Sequence, residues 1–133
     1  MAGRLTDWMV EEVKITGNGW VGWDRDLPEE NNDSNNGTLI FKKLMVEWNG
    51  CSESYLEKQP LQCWAQTAGG YGDGFGTGRT GGRWIFGDST FRFNTSDGLA
   101  LLYVREANSQ IEIRRTRLYG NAGDQIKING PKN

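Results

Sequence analysis

Three aspartates of this chain share one local setting: Asp73 precedes Gly74 and Phe75, Asp97 precedes Gly98 and Leu99, and Asp124 precedes Gln125 and Ile126. If each heads the same strand in consecutive stacked repeats, their carboxylates form a file spaced about 5 Å apart. Like charges at that spacing repel. Relief must come from turn N–H groups, from a basic neighbour such as Arg79, Arg105 or Lys127, from raised pKa values, or from a cation such as calcium bound through oxygen ligands. The same residues also suit a plainer role, because aspartates in turns accept backbone hydrogen bonds.

Other chemistries are bounded by what the chain lacks. It has no histidine, which excludes Ser-His-Asp and Cys-His catalysis and every histidine-bearing metal site. Cys51 and Cys63 are too few for a zinc site built of thiolates. As a disulfide they would close a loop of about a dozen residues, stabilise by roughly 3 kcal/mol at most and fit an oxidising, extracytoplasmic setting. As free thiols they would fit a reducing one. The net charge is −2 with lysines and arginines scattered, so the basic stripe required for nucleic-acid binding is missing. No run of about 18 apolar residues is present for a membrane span, and the opening MAGRLTDWMV has no apolar run long enough for a secretion signal.

The glycine-rich run from Gly69 to Gly82 matches three phosphate or metal motifs only by letter. Gly76, Gly78 and Gly81 have dinucleotide-fingerprint spacing, but an extended segment beginning at Trp84 follows instead of a helix. Gly78, Arg79 and Thr80 lack the lysine of a phosphate-binding loop, and the run from Gly69 to Asp73 is a single, shifted copy of a calcium nonapeptide. The run is expected to be a turn-rich connection that returns the chain to register. Trp20, Trp23, Trp48, Trp64, Tyr55 and Tyr71 offer a different chemistry, since exposed rings stack on sugar faces while buried ones merely pack beneath an insertion.

Four segments place these residues. They superimpose on one template: Trp8, Val10, Val13, Ile15, Asn18; Leu39, Phe41, Leu44, Val46, Asn49; Trp84, Phe86, Ser89, Phe91, Asn94; and Ile111, Ile113, Thr116, Leu118, Asn121. Each has two inward residues spaced by two, a corner, two more spaced by two, and an asparagine, which describes two short strands meeting at a bend. The corners carry Glu11 and Glu12, Lys42 and Lys43, Gly87 and Asp88, then Arg114 and Arg115. Stacked in sequence order, acid lies over base throughout, which favours that order over other registers more than it adds stability. The asparagines either stack as a hydrogen-bonded amide ladder or serve separately as turn residues that tolerate the left-handed conformation.

Beyond the asparagine a third strand follows, from Asp97 and Leu99 to Val104, from Asp124 and Ile126 to Ile128, and, after a long insertion starting at Gly50, from Asp73 and Phe75. The predicted fold is all-β, a parallel β-helix of about four coils with three short strands per coil. It forms a single domain over residues 1–133, with coils starting near 8, 39, 84 and 111 and a Gly-rich insertion over about 50–72. Nineteen glycines and a hydrophobic fraction of 36% suit a solenoid, whose narrow core is extended by stacking. The last coil, ending in Ile126, Lys127 and Ile128, is expected to lack a cap and to leave open strand edges, as in a fragment of a longer β-helix or a chain that associates end to end with another.

The repeated strand, asparagine turn and Asp-Gly strand resemble the pectin-lyase-like superfamily of right-handed β-helix repeat proteins over nearly the whole chain. The run Asn94, Thr95, Ser96, Asp97, Gly98 is similar to the asparagine-threonine-aspartate-glycine motif of polygalacturonase-like glycosidases, with one extra residue; their glycine-histidine-glycine motif has no counterpart. The resemblance implies an extracellular or periplasmic module that binds polysaccharide, with Tyr71, Asp73, Arg79, Asp97, Arg105, Asp124 and Lys127 as candidate contacts and Asp73, Asp97 and Asp124 as candidate calcium ligands. The alternatives are a structural or adhesive module that mediates protein contacts, and a polysaccharide lyase or glycosidase-like fragment. A complete catalytic motif is lacking for either reaction.

Overall fold

The computed structural model describes residues 7–25, 37–50 and 72–129. Every regular element among them is a β-strand. The order is β1 (Trp8–Glu11), β2 (Lys14–Thr16), β3 (Trp23–Arg25), β4 (Thr38–Lys42), β5 (Met45–Glu47), β6 (Phe75–Thr77), β7 (Arg83–Gly87), β8 (Thr90–Arg92), β9 (Leu99–Leu101), β10 (Gln110–Arg114), β11 (Arg117–Tyr119) and β12 (Ile126–Ile128). They assemble as three parallel sheets, β1-β4-β7-β10, β2-β5-β8-β11 and β3-β6-β9-β12. Each sheet takes one strand from each coil in sequence order, so the chain is a parallel β-helix of four coils.

Register follows the template residue by residue. Trp8 pairs with Leu39, Leu39 with Trp84, and Trp84 with Ile111, while Ile15, Val46, Phe91 and Leu118 align in the second sheet. Period-two alternation therefore sends the same column of each coil inward. The core is this column: Leu39, Phe41, Val46, Phe75, Trp84, Phe86, Phe91 and Leu99 are essentially inaccessible, and all belong to the two middle coils. Trp8, Val10, Ile15, Ile111, Ile113 and Leu118 of the end coils are only partly covered, because among the described residues each has a neighbouring coil on one side alone. Val13 is exposed for the same reason.

Of the two fates open to the off-template rings, Trp23 takes packing. It lies in β3 and stacks flat on Phe75 at 5.5 Å. The first coil therefore has its own third strand, headed by Val21 and Gly22 where the second and third coils carry Asp-Gly and the fourth Asp-Gln.

The bends hold residues in left-handed backbone. Glu12, Lys43, Asp88 and Arg115, with φ of 59°, 52°, 52° and 44°, make the first corner of each coil. Such a conformation costs a non-glycine residue about 1–2 kcal/mol, offset here by N–H groups that reach the next coil: Glu12 donates to the Lys42 carbonyl, Lys43 to Gly87 and Asp88 to Arg114. The corner charges pair across coils, Lys43 with Glu12 at 2.6 Å and Arg115 with Asp88 through two bonds of 2.6 and 2.8 Å.

The asparagines form the amide ladder. The Nδ2 of Asn18 donates to Oδ1 of Asn49 at 2.8 Å, Asn49 to Asn94 at 2.9 Å and Asn94 to Asn121 at 2.8 Å. Each acceptor oxygen also receives the backbone N–H of the preceding asparagine. Among the described residues β10, β11 and β12 of the fourth coil are sheet edges, but its amide column is not open. Gln125 folds back, and its Oε1 accepts the Asn121 N–H at 3.2 Å and Nδ2 at 2.9 Å.

Candidate functional site

The aspartate file exists, and turn N–H groups do much to relieve it. Oδ1 of Asp73 accepts the Asp97 N–H at 3.0 Å, and Oδ1 of Asp97 accepts the Asp124 N–H at 2.8 Å. The ammonium of Lys127 closes the file, 2.7 Å from Asp97 and 3.4 Å from Asp124. Burial pushes the Asp73 carboxyl above its ordinary value, against the opposing pull of the Ser96 hydroxyl and the Asp97 N–H. The hydrogen bond from Lys127 to Asp97 raises the Lys127 pKa. Among the described residues no group of three or more acidic side chains is arranged to hold a metal ion.

Arg79 and Arg105 do not join this file. Both lie beyond the far ends of β6 and β9, whereas the aspartates precede those strands. Arg79 pairs with Glu106, and the Arg105 guanidinium stands 5.3 Å over the Tyr103 ring. Asn94 to Gly98 is a connector. Thr95 N–H reaches Asn49, Ser96 N–H reaches Gly72 and Gly98 N–H reaches Asp124, so the segment carries the backbone from the ladder to the file. Tyr71, Tyr55, Trp64 and the pair Cys51 and Cys63 lie outside the described residues.

A second surface appears on the outside of the β2-β5-β8-β11 sheet. The residue before each asparagine is in left-handed backbone: Gly17, Trp48, Phe93 and Gly120, with φ of 70°, 56°, 55° and 68°. Coils one and four thus use the residue type suited to this conformation, and coils two and three use bulky aromatics. The Trp48 and Phe93 rings stack at 4.7 Å, and Tyr119 meets Phe93 edge-on at 5.6 Å. Phe93 leans toward the fourth coil, where a Cβ on Gly120 would lie 2.6 Å from its ring. At the other end a Cβ on Gly17 would touch none of the described residues within 4 Å. Trp48 itself is 52% exposed.

Polar groups flank the strip. Arg92 donates to Glu47 at 2.6 Å and to the Tyr119 hydroxyl at 2.8 Å, with its guanidinium 5.4 Å from the Phe93 ring centre. Lys14 reaches the other oxygen of Glu47 at 2.9 Å. The Lys14 and Arg92 hydrogen bonds hold the Glu47 carboxyl below the ordinary range. Glu47 is 4% exposed, so this carboxylate is a fixed brace that orients Arg92 beside the rings. Sequence spacing marked Trp48 as a candidate stacking ring but missed Phe93, Tyr119 and Arg92. The available signal was the position before the template asparagine, occupied by glycine in two coils and by an aromatic in two.

No protein-family model, curated protein or solved structure matches the chain.

Proposed function

We propose that this chain is a carbohydrate-binding β-helix module of the pectin-lyase-like kind, acting outside the cytoplasm on polysaccharide, with the strip of Trp48, Phe93 and Tyr119 as its contact surface. The observation that carries this reading is the half-exposed Trp48 ring stacked on Phe93. Sugar rings present C–H faces that pack on aromatic planes, and their hydroxyls pair with fixed guanidinium and phenol groups. Two large side chains held in a backbone conformation that disfavours them also mark the place, since such strain collects at functional sites.

The strip runs along the solenoid axis, one residue per coil, so it suits an extended chain of sugars better than a monosaccharide. Arg92, Lys14 and Arg117 against the single carboxylate of Glu47 make the surrounding sheet face net positive, which favours an acidic glycan. The aspartate file and Lys127 lie on another part of the coil and serve this reading as structure.

Affinity electrophoresis through gels containing a uronic-acid polymer or a neutral glucan, with and without calcium, tests it. The expected result is retardation by the acidic polymer that is lost in Trp48→Gly and weakened in Tyr119→Phe. Unchanged retardation in Trp48→Gly, or migration of the native chain unaffected by every glycan, would defeat the proposal.

A further inference from the structure

The position preceding the third strand of each coil is Gly22, Gly74, Gly98 and Gln125. In the first three coils glycine is obligatory for stacking. A Cβ on Gly22 would lie 2.4 Å from the Gly74 carbonyl and 2.7 Å from Asn49 Nδ2; on Gly74, 2.6 Å from both the Gly98 carbonyl and Asn94 Nδ2; on Gly98, 2.7 Å from the Gln125 carbonyl and 2.5 Å from Asn121 Nδ2. In each case the obstructing atoms belong to the next coil. A side chain at this position is thus incompatible with a coil stacked above it in the same register.

Gln125 is such a side chain. It does more than obstruct, because its amide reproduces the missing rung. Asn121 N–H and Nδ2 reach Gln125 Oε1 at 3.2 and 2.9 Å, as Asn94 reaches Asn121 at 3.1 and 2.8 Å. Gln125 Nε2 in turn donates to the Asn121 carbonyl at 3.1 Å.

The first coil is complementary to the fourth at its corner and at its asparagine. The corner of the first coil carries Glu11 and Glu12, that of the fourth carries Arg114 and Arg115, and acid over base is the order already realised inside the stack. Asn18 Oδ1 receives no donor from the described residues, whereas the corresponding oxygens of Asn49, Asn94 and Asn121 each receive two. A second copy could therefore offer Asn18 to Asn121 and its acidic corner to Arg114 and Arg115, continuing the column.

We propose that Gln125 is a stop residue, which completes the amide ladder within the chain and bars the first coil of a second copy from stacking in register on the fourth. Sedimentation velocity of the native chain, Gln125→Gly and Gln125→Ala, each checked for fold by circular dichroism, tests this. The native chain should sediment as a monomer. Gln125→Gly should gain mass with concentration, roughly doubling or more, and lose that gain in high salt, where the corner charges are screened. Gln125→Ala lacks the amide but keeps the obstructing Cβ, and it should remain monomeric. A self-associating native chain, a folded Gln125→Gly that stays monomeric, or a Gln125→Ala that assembles as the glycine variant does would each overturn the proposal. So would a Gln125→Gly chain that fails to fold, since glycine fills this position in the other three coils.

Discussion

Truncating Asn94 to alanine should be among the most damaging single changes to the ladder, and its cost follows from the bonds it removes. Asn94 is 1% exposed. Its Oδ1 accepts the Asn49 N–H at 3.2 Å and Asn49 Nδ2 at 2.9 Å, and its Nδ2 reaches Asn121 at 2.8 Å and the Val46 carbonyl at 3.3 Å. After truncation Asn121 Oδ1 keeps the Asn94 N–H at 3.1 Å, and Asn49 Nδ2 keeps only a long contact of 3.4 Å to Ile15. The buried Asn49 N–H loses its acceptor. An unsatisfied buried donor costs about 1–3 kcal/mol, so one full and one partial loss come to about 2–5 kcal/mol. That is a large share of the roughly 5–15 kcal/mol that holds a domain of ordinary stability together. Asn18→Ala removes a similar side chain from an exposed site and leaves Asn49 Oδ1 with the Asn18 N–H. It should cost about 1 kcal/mol or less. Urea titration followed by tryptophan fluorescence compares the two variants at equal slope. Equal midpoints for Asn94→Ala and Asn18→Ala would refute the idea that the ladder stabilises through buried, doubly used amides.

The remaining expectations concern sterics, charge and backbone. Gly98→Ala places a Cβ 2.7 Å from a backbone carbonyl, whereas Gly87→Ala meets only Lys42 Cγ at 3.9 Å; the first should lower stability by about 1–3 kcal/mol and the second should leave the thermal midpoint almost unchanged. Glu47 is depressed by Lys14 and Arg92, so its contribution is present above the ordinary carboxylate range and is lost as pH falls through its folded pKa. Glu47→Gln should therefore destabilise at neutral pH, with a penalty that fades in acid. Asp73 is raised by burial, so its ionised form opposes folding; Asp73→Asn should gain stability at neutral pH, and the gain should vanish as acid protonates the native residue. Thermal melts across pH read both, and parallel profiles for the two variants would contradict the opposite environments assigned to them. At Trp48, φ is 56°; Trp48→Gly should melt above Trp48→Ala by the equivalent of about 1 kcal/mol, although neither should retain glycan.

Coil order, strand count and the asparagine column were legible because stacking repeats one pattern, so an inward position in one segment is inward in all. What remained hidden came from contacts that do not repeat. Trp23 departs from the Asp-Gly pattern that marks the third strands of the second and third coils, with Val21 and Gly22 before it, and only its stacking on Phe75 reveals the strand. Arg79 and Arg105 looked available to the carboxylates by nearness in sequence, yet a three-residue strand sends each to the other end of its sheet. Lys127 looks no more plausible by spacing, but its outward position in β12 brings it onto Asp97. Gln125 occupies a glycine position and is invisible as a cap until its side chain is seen turning back on Asn121.

The aromatic strip shows how fold and surface make opposite demands on one position. The bend before each asparagine requires left-handed backbone, which glycine supplies at least cost, and the first and fourth coils use it. Fold alone gives no reason for tryptophan and phenylalanine in the middle coils, where the bend is the same. Stacking at 4.7 Å recovers some of the strain, since an aromatic pair is worth about 0.5–1.5 kcal/mol beyond its buried area, while one left-handed non-glycine residue costs about 1–2 kcal/mol. The Tyr119 edge contact and the Arg92 guanidinium recover more, but both act on Phe93, and more than half of the Trp48 surface remains in water. The residue choice is therefore better explained by something that the outer ring contacts than by what the rings do for each other.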